Sequence, residues 1–178
     1  DEDAYRHRGK PRAQMNQWDA AIEDFSQAIA LNPKNAETYY NRAVARDRAG
    51  QGQAAVEDYG QAISLNPGDF NSYLNRASAY GRLKQDDRAL ADYDKAVALR
   101  PAQADLYFQR GLLQARSGRH DAAVEDFSRV LSLTPDNAQA YNQRGAAFRK
   151  KRQFEAALAD HNRAIELTAN SGDGYYFR

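Results

Sequence analysis

The chain contains no cysteine, which excludes disulfide frameworks and thiolate chemistry and leaves the redox compartment undetermined. It also has no apolar run long enough for a membrane span. Its formal net charge is only +1, from 25 basic and 24 acidic residues that are interleaved, so no global attraction for nucleic acid is expected. These absences favour a soluble chain, cytoplasmic rather than secreted, and they name no partner.

Proline, valine and isoleucine are scarce, whereas alanine, glutamine, arginine, aspartate and leucine are abundant. This composition favours helices over sheets. The chain starts at Asp1 without an initiator methionine or a signal peptide, which indicates a processed chain or a piece of a longer one.

The few prolines reveal an internal period of 34 residues, since four of them lie at Pro33, Pro67, Pro101 and Pro135. Tyrosine recurs at the same spacing at Tyr5, Tyr39, Tyr73, Tyr107, Tyr141 and Tyr175. Arginine recurs at Arg8, Arg42, Arg76, Arg110, Arg144 and Arg178. Each of the first five arginines is followed by a small residue: Gly9, Ala43, Ala77, Gly111 or Gly145. A later aromatic column reads Phe25, Tyr59, Tyr93 and Phe127, with His161 off pattern.

Within one repeat the pattern predicts two helices. Tyr39, Arg42 and Ala43 share one helical face, and a second apolar stripe follows the turn Gly50-Gln51-Gly52. Asn66-Pro67 should end the second helix, because proline lacks an N–H and disfavours helical geometry in the residue before it. A capping residue such as Asp69 can then begin the next helix.

An aromatic, a small residue, alanine, a second aromatic, alanine and proline, in this order over 34 residues, resemble the tetratricopeptide repeat family. The resemblance covers residues 2–35, 36–69, 70–103, 104–137 and 138–171, with 172–178 opening an incomplete sixth repeat. It implies an all-α, right-handed superhelix (a solenoid) as a single domain over residues 1–178, whose first helices line a concave surface that binds other polypeptides. Three departures are Pro11 inside the first helix, which should kink or delay it, Ala169 at a proline position, and His161 at an aromatic position.

Aspartate also recurs with the period, at Asp24, Asp58, Asp92, Asp126 and Asp160. The arginine column should point inward and needs an anion, and the helical hairpins bring each aspartate to the height of the arginine in its own repeat and in the next. We therefore predict an alternating Arg and Asp ladder with a structural role.

The opposite face of each first helix is the predicted groove for a partner peptide. Its amide row is Asn41, Asn75, Gln109 and Gln143, its apolar centre is Tyr40, Leu74, Phe108 and Leu112, and its basic row is Arg48, Arg82, Arg116 and Lys150. Val44 and Asn142 complete the candidate set. A row of carboxamides suits the backbone of an extended peptide, since each offers a donor and an acceptor. The alternative is that the amides are merely solvated; for the basic row a solvated face is favoured over a phosphate track.

No catalytic motif or phosphate loop is present, and the three histidines lie in different repeats without paired carboxylates. The sequence therefore predicts no enzyme, no metal site and no cofactor. Two alternatives stay open: the chain is the targeting module of a larger protein, or it self-associates through the aromatic C-terminal residues Tyr175, Tyr176 and Phe177.

Overall fold

A computed structural model describes the backbone of residues 1–172 and the side chains of residues 1–169; Tyr175, Arg178 and the predicted C-terminal docking segment lie outside this range. These residues form ten α-helices without a strand, which confirms the predicted all-α repeat fold. In chain order the helices are α1 (Glu2–Gln14), α2 (Trp18–Leu31), α3 (Ala36–Arg48), α4 (Gly52–Leu65), α5 (Phe70–Arg82), α6 (Asp86–Leu99), α7 (Ala104–Arg116), α8 (His120–Leu133), α9 (Ala138–Lys150) and α10 (Phe154–Gly172).

The chain divides into two compact units, Asp1–Leu99 and Arg100–Arg178. In the N-terminal unit α3 packs against α2 and α4 and also contacts the neighbouring first helices α1 and α5. In the C-terminal unit α8 packs between α7 and α9, and α10 packs on α9. Within these units, α2 is covered by α3, α4 by α5 and α8 by α9.

The turn inside each helix pair contains a residue in the left-handed region, at Asn16, Gly50, Lys84, Gly118 and Arg152. The first helix ends there because the next backbone N–H turns back to a carbonyl five residues earlier, as in the 2.8 Å bond from Gln51 to Arg46. Glycine adopts this conformation without strain, which explains why it occupies two of the five positions.

Replacing Gly50 by alanine is expected to lower the free energy of unfolding by about 1 kcal/mol. The φ angle of Gly50 is +79°, and a Cβ atom would meet nothing within 4 Å, so the cost reflects backbone strain alone. Chemical denaturation measures the change. Gly52→Ala is the matched control, because Gly52 starts α4 with an ordinary φ and should lose nothing. An equal loss in both variants would contradict this reason.

The second helices end before proline as expected, with non-helical backbone at Asn32, Asn66 and Thr134. At the start of α5, Asp69 accepts the backbone N–H of Ser72 at 3.1 Å. Ala169 has no such effect, and α10 therefore continues to Gly172, into the range predicted to open a sixth repeat.

The first helix is not delayed by its proline. It begins at Glu2 and contains Pro11 in its last turn, where only a few residues follow. Asp1 caps it by accepting the N–H of Asp3 at 3.1 Å.

Aromatic side chains of the second helices pack on the small residues of the first helices. A Cβ atom on Gly111 would lie 2.9 Å from the ring of Phe127, and one on Gly9 would lie 2.7 Å from Phe25. Glycine is required at both places because the ring occupies the space of a methyl group. In α10, His161 takes the place of the aromatic and packs on Gly145.

Candidate functional site

The inward-facing arginines pair with the recurring aspartates of their own helix pairs. The five aspartates are only 1–6% exposed. Arg42 is typical: its Nε donates to Asp58 Oδ2 at 2.8 Å and its Nη2 donates to Oδ1 at 2.7 Å. Arg8, Arg76, Arg110 and Arg144 form the same two-pronged contact with Asp24, Asp92, Asp126 and Asp160. The Arg8 side chain is nevertheless 55% exposed. The charges of these pairs therefore serve to stabilise the helix pairs.

The link to the preceding repeat differs from the predicted ladder. Arg42 Nη1 donates to the Ser26 hydroxyl at 3.0 Å, and Arg144 Nη1 donates to Ser128 at 3.0 Å. The neutral hydroxyl, rather than a second aspartate, receives a third N–H of these two guanidinium groups. At the corresponding place before Arg76 stands Gly60, which has no side chain.

The tyrosine column has a role that sequence reasoning missed. Each of these arginines lies over the ring of the tyrosine three residues earlier, with distances from Cζ to the ring centroid of 5.4–5.9 Å. The two columns therefore recur together because a cation–π contact joins them. Their spacing on one helical face was the available signal.

In the N-terminal unit, the predicted amide and apolar rows meet between α3 and α5. Asn75 Nδ2 donates to Tyr40 Oη at 3.1 Å, and the Tyr40 ring packs 6.0 Å from that of Tyr59. Burial raises the pKa of Tyr40, so its hydroxyl stays protonated. Because Oη accepts the bond from Asn75, the hydroxyl proton remains available to donate elsewhere.

A pocket of about 320 Å³ opens beside this pair, lined by Ala36, Glu37, Tyr40, Asn41, Asn66, Asp69 and Asn71. The Nδ2 atom of Asn41 is buried, and among the described residues it has no hydrogen-bond acceptor. Tyr40 and Asn41 are the two predicted groove residues that line this pocket. The pattern predicts only helix-ending and capping roles for Asn66 and Asp69. Their position just before the first turn of α5 was the available signal that they line the pocket.

Two carboxylates line the pocket, on Glu37 and Asp69. Glu37 accepts from Lys10 Nζ at 2.6 Å and from Arg6 Nη1 at 2.9 Å. The hydrogen bond from Lys10 holds the pKa of Glu37 below its usual value, so this carboxylate is ionised at neutral pH.

The other candidates of the N-terminal unit are scattered. Val44 packs against the buried cluster around Tyr59, and Leu74 is half-buried. Arg82 Nη2 binds Asp47 on the neighbouring first helix, so its charge is already paired. Arg48 lines a different cavity, near Trp18.

The C-terminal unit repeats the apolar part of the pattern. Phe108 and Leu112 pack against the cluster of Ala123, Phe127 and Ala147, and the rings of Phe108 and Phe127 lie 5.8 Å apart. Five further candidates of this unit are exposed: Gln109, Arg116, Asn142, Gln143 and Lys150. Of these, Asn142 Oδ1 lies 3.2 Å from His161 Nδ1.

Within the described residues, no group of three or more His, Asp or Glu side chains is arranged to hold a metal ion. None of the helices described is long and apolar enough to cross a membrane.

Paired helices, each stacked on the next within its unit, define the class: a helical-repeat protein of the solenoid kind. Tetratricopeptide repeat models match residues 36–69, 59–91, 76–142 and 138–171, and a TPR repeat model matches residues 9–50. The chain belongs to the tetratricopeptide repeat family, as its sequence predicts.

Solved structures show the same fold. A crystal structure of MamA protein has a TM-score of 0.91 at 23% identity, covering 97% of this chain and 94% of that one. Another of MamA has a TM-score of 0.86 at 24% identity, covering 93% and 96%. YrrB, described as a TPR protein with an unusual peptide-binding site, has a TM-score of 0.85 at 22% identity, covering 94% and 86%. No curated protein sequence matches the chain significantly.

Proposed function

We propose that the chain is a non-catalytic scaffold that binds an extended polypeptide segment along its first helices. The observation that carries this is the cluster between α3 and α5, where Asn41 Nδ2 lacks an acceptor and the Tyr40 hydroxyl proton is available beside the bond from Asn75. Unmet donors next to half-buried rings suit peptide carbonyls flanked by apolar side chains. A buried N–H without a partner is costly, and a bound carbonyl would remove that cost.

In the C-terminal unit the same role falls to α7 and α9. Gln109 and Gln143 are exposed amides, and the rings and chains of Phe108 and Leu112 are held in place by the core beneath them. Anchors that are fixed before binding lose little entropy when a partner arrives. The peptide-binding site in the description of YrrB agrees with this assignment.

The double variant Asn75→Ala/Gln109→Ala is expected to lose about tenfold or more in affinity for a peptide selected by phage display against the chain, because each lost hydrogen bond contributes about 0.5–1.5 kcal/mol. Isothermal titration calorimetry measures the loss. The matched control is Gln27→Ala/Gln61→Ala, which removes two exposed amides from the second helices α2 and α4. If both double variants bind as tightly as the unaltered chain, the first-helix face is not the binding site.

A second candidate function is self-association through the exposed face of α10. Leu158 and Ile165 are 62% and 66% exposed there, whereas Leu131, the counterpart of Ile165 on α8, is 8% exposed beneath α9. The position of Ile165 is buried in α8 but exposed in α10, so this face of α10 suits the docking of another helix.

A second copy can supply that helix. On α1, Ala4 and Pro11 are exposed, while their counterparts on α3, Thr38 and Ala45, are buried, with Ala45 packed against residues of α2. The α1 face of one copy thus resembles the surface that covers a second helix elsewhere. Sedimentation equilibrium over a range of concentrations tests this, and a strictly monomeric species would exclude it.

A further inference from the structure

We propose that the pocket between the first turns of α3 and α5 takes a carboxamide side chain, asparagine or glutamine, of the bound polypeptide. This assignment rests on the proposed function, because the side chain arrives as part of the bound segment. It adds a selectivity: the pocket accepts a neutral carbonyl and disfavours a carboxylate.

The pocket offers hydrogen-bond donors. Asn41 Nδ2 is buried without an acceptor, and the Tyr40 hydroxyl accepts from Asn75 and can donate its own proton. Asn66 Oδ1 already accepts the N–H of Gly68 at 3.3 Å, which leaves its amide N–H atoms for another group. These donors require an acceptor on the ligand.

The acceptors that line the pocket are largely used. Asp69 receives the backbone N–H atoms of Asn71 and Ser72 and also the Ser72 hydroxyl. Both oxygens of Glu37 are occupied by Lys10 and Arg6. A cationic side chain would therefore find its counter-charges already engaged and would leave the donors unmet.

Two carboxylates also face the pocket, on Glu37 and Asp69. Asp69, whose partners are two backbone N–H groups and the Ser72 hydroxyl, keeps a charge that repels an acidic side chain or a C-terminal carboxylate. A carboxamide avoids this repulsion: its oxygen accepts from Asn41 and Tyr40, and its NH₂ group donates to the remaining lone pairs of the two carboxylates. The volume of about 320 Å³ lies at the lower end of the range for small-ligand pockets, roughly 300–1,000 Å³, so it admits a carboxamide side chain together with part of the peptide backbone.

The experiment uses the whole chain and a peptide selected by phage display, resynthesised with each Asn or Gln replaced in turn by Glu, Lys or Ala. Affinities are measured by fluorescence anisotropy. At one amide position of the peptide, replacement by Ala is expected to weaken the affinity about tenfold, because the pocket donors lose their acceptor. Replacement by Glu should weaken it more, because the new carboxylate is repelled by the carboxylates of the pocket.

Protein variants then locate that position on the pocket. Asn41→Leu is expected to weaken the amide peptide about tenfold while leaving the Ala peptide nearly unchanged, which is the coupling expected for groups in contact. Asn41→Ala serves if the leucine variant fails to fold, and Gln61→Leu on α4 is the matched control. Glu37→Gln is expected to reduce the ratio between the affinity for the amide peptide and the affinity for the Glu peptide.

The outcomes separate the two proposals. If peptides bind but show no amide preference, or if Asn41→Leu weakens the amide and Ala peptides equally, the pocket assignment is wrong and the scaffold role stands. If no peptide is selected at all, the peptide-binding role fails, and the pocket assignment fails with it.

Discussion

Replacing Asp92 by alanine is expected to lower the free energy of unfolding by about 3–5 kcal/mol, because a guanidinium group would stay largely buried without its anion. Arg76 now donates to both oxygens of Asp92 at 2.7 Å, and this bond raises the pKa of the arginine. For a chain of this size the loss corresponds to a decrease in Tm on the order of 10 °C. Differential scanning calorimetry measures it.

Two further variants isolate the charge. Asp92→Asn keeps the shape and one acceptor oxygen, so it should lose clearly less than the alanine variant. Glu57→Ala removes an exposed carboxylate from α4 and should change stability by less than about 0.5 kcal/mol. Peptide affinity should not change in any of the three, since neither Arg76, Asp92 nor Glu57 lines the pocket. An unaltered Tm for Asp92→Ala would show that the pair does not stabilise the fold.

Truncating Phe127 to alanine is expected to lower the free energy of unfolding by about 3–5 kcal/mol. Its ring is 0% exposed and lies against Gly111, Phe108 and the surrounding alanines, so the change leaves a cavity in the core of the C-terminal unit. Denaturant titration followed by circular dichroism measures the loss.

Phe154→Ala is the matched control, because that ring is 54% exposed and should contribute little. Gly111→Ala alone should lose about 1–3 kcal/mol through overpacking. Combined with Phe127→Ala it should lose less than the sum, since the new methyl group enters space that the ring has left. Strict additivity would contradict the close packing of these two residues.

The periodic part of the structure was predictable from sequence. Helix bounds follow from the recurring proline and capping residues, and the Arg–Asp pairs follow from two columns that the hairpin brings together. Such features are repeated several times, so each copy strengthens the inference from the others. Pro11 does not delay α1, because the helix begins well before it, at Glu2, and continues past it to Gln14.

The non-periodic part was not predictable. Arg82 belongs to the basic row by position, but it pairs with Asp47 of the neighbouring first helix, and no column marks that contact. Whether an amide of this row finds an acceptor depends on the residue in the preceding repeat. Asn75 donates to the hydroxyl of Tyr40. The residue at the equivalent position for Asn41 is Arg6, which can only donate a hydrogen bond. Identical positions thus acquire different chemistry from single substitutions in the adjacent repeat.

The absence of a side-chain hydroxyl at Gly60 affects the order in which the helices of the N-terminal unit unfold. Where Ser26 ties α2 to the guanidinium of α3, Gly60 leaves α4 joined to α5 without that tether, and glycine also weakens the middle of its own helix. In arrays stabilised by adjacent neighbours, cooperativity is lost first at the weakest junction. With increasing denaturant, α5 and α6 would therefore dissociate from α1–α4 before the first four helices separate from one another.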